Sequence, residues 1–101
     1  MIDITQFDVS PSPAACGVDA VIRVVVLFSG PRRAVTVTVG IPGPFTFAPP
    51  PSETKLGTSP LAFTFNGRFA GPGGGQQVEL TARATSGGES ATDRTNVALR
   101  C

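Results

Sequence analysis

The chain has 101 residues, two cysteines, no histidine, no tryptophan and no tyrosine, with a formal charge of +1. That length holds one domain with one core, residues 1–101, and buries only about two-thirds of the surface the unfolded chain exposes. The eight basic residues, all arginine except Lys55, are scattered singly apart from Arg32-Arg33, so no basic stripe can track a phosphate backbone and nucleic acid is excluded as a partner.

Period-two alternation recurs along the chain, whereas helical spacing of apolar residues does not, which predicts an all-β protein. The first run puts Ile2 and Ile4 on one face and Phe7 and Val9 on the other. The slip near Thr5 and Gln6 implies a bulge or a strand passing between sheets, and Ser10-Pro11-Ser12-Pro13 ends the run. The second, Val18 to Ser29, places Val18, Ala20, Ile22, Val24, Val26 and Phe28 on one face. Val21, Val25 and Leu27 share the other face with Asp19 and Arg23, as in a central strand with part of its second face covered. They are either buried in the sandwich or a partly apolar outer face meeting a neighbouring domain. In the third run Val35, Val37, Val39 and Ile41 alternate with Ala34, Thr36, Thr38 and Gly40, a strand wet on one side.

A proline-rich stretch, 42–51, follows, with Phe45 and Phe47 as its large apolar residues, and then a weak segment from Glu53 to Thr58. Leu61, Phe63 and Phe65 form the next run, with a turn expected at Asn66-Gly67 before Phe69. Gly71 to Gly75 make another break. Beyond it Val78, Leu80, Ala82 and Ala84 face inward, Ser86-Gly87-Gly88 turns the chain, and Val97, Leu99 and Cys101 share a parity in the last run. Strands at this spacing argue for an antiparallel β-sandwich of immunoglobulin-like or fibronectin III-like type with about seven strands.

Cys16 follows the first strand and Cys101 is the last residue. A disulfide between them would close a loop of about 85 residues and stabilise by about 4 to 5 kcal/mol in the chain-entropy model. Free or intermolecular thiols are the alternative, but no C-x-x-C spacing or histidine partner is present, so a structural pair in an oxidising compartment is favoured. Each eight-residue strand crosses about 26 Å. Bringing the two cysteines within disulfide reach therefore favours an even number of crossings between them. Five are clear, and a sixth belongs around Glu53 to Leu56 or Pro44 to Phe47.

The longest apolar run, Val24 to Phe28, is far short of the roughly 20 residues a spanning helix needs, so membrane insertion is not expected. No secretory signal is visible; Met1 running straight into Ile2, and a chain stopping on its cysteine, read as a fragment excised from a longer protein. The abundance of Ala, Gly and Pro, with arginine far above lysine, is typical of GC-rich bacterial genes.

The opening DITQFDVSPSPA, the Val-rich strand ending in LFSGP, the strand AVTVTVGIP, and the stretches GPGGGQQVELTARAT and GGESATDRTNVAL resemble bacterial extracellular immunoglobulin-like modules of the CARDB type. The resemblance covers nearly the whole chain and rests on strand and turn patterning. It implies a spacer, an adhesive unit or an enzyme appendage within a large secreted or wall-attached protein. The proline-rich connection and the terminal cysteine pair depart from that family's pattern.

Catalysis is not expected, because histidine is absent and the seven acidic residues are dispersed. No metal site or cofactor is expected either. Two cysteines without histidine cannot complete a zinc shell; Glu89 and Asp93, which a calcium ion could in principle use, read as solvated charges; and Gly71 to Gly75 lack the context of a phosphate loop. Flat sugar sites in sandwich modules present Trp or Tyr, both missing here, which disfavours sugar binding. The leading reading is a noncatalytic module of a secreted or surface protein, monomeric in isolation, contacting a protein partner or its neighbouring domains. The runner-up is a specific protein-binding domain, such as an accessory subunit or a virion surface domain. It would dock through the stiff loop, with Pro44, Phe45, Phe47 and Pro49 as candidate contacts. The competing reading of those residues is structural: the phenylalanines plug one end of the core and the prolines protect an edge strand.

Overall fold

Alternation sets nearly every strand of the computed structural model, which describes residues 2–10, 13–41, 43, 45–71 and 76–100. In chain order the strands are β1 (Ile2–Ser10), β2 (Ala14–Ala15), β3 (Asp19–Phe28), β4 (Arg33–Gly40), β5 (Thr46–Ala48), β6 (Ser52–Gly57), β7 (Leu61–Ala70), β8 (Gln76–Ser86) and β9 (Glu89–Arg100). No helix occurs among the described residues. Two sheets pack face to face, ordered β1-β3-β7-β5 and β2-β9-β8-β4-β6. The pairings are antiparallel except that β2 runs parallel to β9.

The core lies between the sheets and is unequal in bulk. The first sheet turns Phe28, Phe47, Phe63, Phe65 and Phe69 inward, together with Ile22, Val24 and Val26. The second answers with smaller groups: Val35, Val37 and Val39 on β4, and Val78, Leu80, Ala82 and Ala84 on β8. Large opposite small lets two rows of side chains interdigitate at interior packing density.

The expected slip in the first strand is a bulge between Ile4 and Gln6. The extra residue, Thr5, lets Ile4 and Phe7 both face the core despite their odd spacing. The change of sheet comes later, because β1 lies in the first sheet and β2, after Pro13, in the second. The proline-rich connection does the same. β5 pairs with β7 in the first sheet, and β6 pairs with β4 in the second. Pro49 to Pro51 join them, with the Pro51 carbonyl accepting the Val39 N–H at 2.9 Å. The two short strands are halves of one crossing, so both segments predicted to hold the sixth crossing contribute to it. Seven passes result, six of them after Cys16.

Two expectations are corrected. Asn66-Gly67 is no turn: β7 continues from Leu61 to Ala70. Phe63, Phe65, Gly67 and Phe69 share one inward parity, and a Cβ at 67 would collide with the Ala48 carbonyl and the Phe47 ring. Glycine stands there so that β5 can approach, a packing role that carries the same dipeptide as a hairpin turn. Val18 does not join the inward face of β3, since it precedes the strand and is 51% exposed. Val21, Val25 and Leu27 lie on the outer face of the first sheet, the first two half-buried and Leu27 exposed.

Candidate functional site

The described phenylalanines of the proline-rich stretch belong to the core. Phe45 and Phe47 are 4% and 5% exposed, and the Phe47 ring meets Phe69 edge-on at 5.0 Å. Pro49 and Pro50 are exposed, and Pro51 is buried. Pro44 lies outside the described residues. What this stretch leaves at the surface, among the described residues, includes the Pro49-Pro50 ridge beside a shallow depression of about 360 Å³ that also touches Thr64, Phe65 and Asn66.

Cys16 is half-buried and packs against the core. Its N–H donates to the Arg100 carbonyl at 3.3 Å, one residue before Cys101 in the chain. No free cysteine occurs among the described residues; Cys101 lies outside them.

Glu89 and Asp93 sit four residues apart on β9, about 13 Å along an extended strand. Glu89 is engaged by Arg33 at 2.6 Å, and Asp93 accepts the Arg94 N–H at 2.9 Å. Among the described residues no three His, Cys, Asp or Glu side chains gather into a group that could hold an ion. Gly71 is exposed; Pro72 to Gly75 lie outside the described residues. Among the described residues no helix is long and apolar enough to cross a membrane.

Charge is placed where the sandwich is open. The Arg33 guanidinium lies over the Phe28 ring at 5.1 Å while holding Glu89. Lys55, on the inward-facing parity of edge strand β6, reaches across to the first sheet, donates to the Ala62 carbonyl at 2.7 Å and lies over the Phe63 ring at 5.5 Å. Asp19 and Arg68, cross-strand partners on β3 and β7, pair at 2.7 Å on the outer face. The hydrogen bond to that carboxylate raises the Arg68 pKa above its ordinary value.

Sequence reasoning missed a second feature, the outer face of the second sheet. Thr36 and Thr54 share a hydroxyl hydrogen bond at 2.8 Å, and Thr38 and Ser52 another at 3.2 Å. Beside them a shallow depression of about 470 Å³ is lined by Thr36, Arg83, Thr85 and Ser90 and bordered by the Gly87-Gly88 turn. The wet-side threonines of β4 were legible alone, while those of β6 and β9 were not singled out; only the register brings them into rows.

No protein-family model matches the chain, and no curated protein matches it.

Proposed function

We propose that this domain is a noncatalytic, immunoglobulin-like module of a secreted or surface protein, threaded in series with its neighbours as a spacer or adhesive unit. The observation that carries the reading is where the first strand starts and the last strand stops. Ile2 pairs with Phe28, beside Arg33 and its partner Glu89 at the start of β9. Arg100 ends β9 eleven residues on, roughly 36 Å away along an extended strand, beside Ala15 at the other pole. A domain extending 45 × 20 × 18 Å whose first strand starts at one pole and whose last strand stops at the other would add length when repeated.

The strand order supports the immunoglobulin-like or fibronectin III-like reading. β1-β3-β7 faces β9-β8-β4-β6, and the short β5 at the edge of the first sheet is the departure. The patterning shared with CARDB-type modules points the same way. The extracellular assignment rests on a Cys16–Cys101 disulfide, which six crossings and the Cys16 bond to the Arg100 carbonyl favour. Docking through the proline-rich loop, the second reading, would use Pro49 and Pro50 instead of the buried rings.

Small-angle scattering on two copies joined end to end tests the spacer role. The maximum dimension should grow by about one domain length, near 45 Å. A pair folded back to little more than a single domain's length would contradict it.

A further inference from the structure

Register places Thr54, Thr36, Thr85 and Ser90 side by side across β6, β4, β8 and β9. The next row, about 7 Å along the strands, is Ser52, Thr38, Arg83 and Thr92. Each row spans about 14 Å at ordinary strand spacing. Seven hydroxyls and one guanidinium thus make up the two rows, and apolar side chains of this face, Ala34 and the exposed Leu56, lie in the row beyond Thr36 and Thr54. Arg83 is exposed and takes part in none of the ion pairs among the described residues. Its cross-strand neighbours are Thr38 and Thr92, not acids. Glu89, at the margin of the depression, is held by Arg33.

We propose that this face binds an anionic polysaccharide, a sugar chain bearing carboxylates, with Arg83 as the charge contact and the threonine rows as the hydroxyl contacts. The inference rests on the interaction role proposed above and names its ligand. A protein partner would want an aromatic or aliphatic centre, whereas Leu56, the large exposed apolar side chain of this face, stands outside the two rows on edge strand β6. Nucleic acid would want aromatic platforms for its bases as well as a run of cations, and neither row holds an aromatic ring. A neutral sugar would want a flat ring to stack on. The missing Trp and Tyr therefore argue only against uncharged glycans. A carboxylated chain fits what is present, since guanidinium and carboxylate form a two-pronged, charge-assisted pair. Each threonine hydroxyl, one donor with two lone pairs, keeps capacity for a ligand after bonding its neighbour. Threonine is stiff at χ1, so little freedom is lost on binding.

Titrating the isotope-labelled chain with a trigalacturonate oligosaccharide, read by amide NMR, tests this. Shifts should cluster at Thr36, Thr38, Arg83, Thr85 and Ser90. Arg83→Ala should weaken binding about tenfold or more, the loss of a charge-assisted pair, Arg83→Lys should weaken it less, and Arg23→Ala, an exposed arginine on the opposite sheet, should leave it unchanged. An absence of shifts at millimolar ligand, equal binding by Arg83→Ala, or the same shifts with maltotriose would each overturn the proposal. The tandem-copy scattering uses no sugar, so a failed titration removes the ligand and leaves the spacer role standing on its own test.

Discussion

A methyl group at position 67 would fall inside the Ala48 carbonyl and the Phe47 ring, so β5 holds its place because residue 67 has no side chain. Gly67→Ala should cost about 1 to 3 kcal/mol through overpacking; the exposed neighbour Asn66→Ala should stay within about 0.5 kcal/mol. Urea midpoints of the two variants check both. The same method separates the two readings of the proline-rich loop. Phe47→Ala should lose about 3 to 5 kcal/mol, as a buried ring does, whereas a docking residue would leave stability intact. Ser86, buried in the second sheet, donates its hydroxyl to the Ala34 carbonyl at 2.6 Å; Ser86→Ala removes that bond and should cost about 0.5 to 1.5 kcal/mol. At this scale the sequence was legible wherever alternation was regular, as at Val35, Val37 and Val39. It misled at Asn66-Gly67, where a glycine kept for close approach carries the signal of a turn.

Edges decide whether such sheets stay separate. Strand β6 closes one side of the second sheet, and its Lys55 is aimed inward across the gap to β7, where a second chain pairing at that edge would meet the charge. β5, at the edge of the first sheet, is only three residues long and runs into prolines, which limits the ladder it can offer. Lys55→Val leaves β6 a stronger strand without its inward charge. Light scattering should then show concentration-dependent self-association in the variant and a monomer in the parent; a monomeric variant would mean the edge is protected by something else. The pairing of β5 and β6 into one crossing was only half legible. Parity of the cysteines demanded one more pass, yet two short segments each satisfied that demand, and nothing local says that a chain changes sheet at its prolines. The hydroxyl rows were hidden for a related reason, because neighbours across strands are set by register between Thr54, Thr36, Thr85 and Ser90 and not by any run of residues.

For the molecule as a whole, seven passes place the start of β1 and the end of β9 at opposite poles while bringing Cys16 beside Arg100. Closing nearly the whole chain would contribute about 4 to 5 kcal/mol, a large share of the roughly 5 to 15 kcal/mol a domain of this size retains. Surface ion pairs such as Asp19 with Arg68 contribute far less. Reduction should therefore lower the melting temperature by about 15 °C or more. The direct measurement is a peptide map of the unreduced protein, produced in an oxidising compartment, alongside that melt. The expected result is a single linked pair of peptides carrying Cys16 and Cys101, lost with the drop in melting temperature when thiol reagent is added. Two alkylatable thiols in the folded protein, or a melt indifferent to reduction, would contradict it.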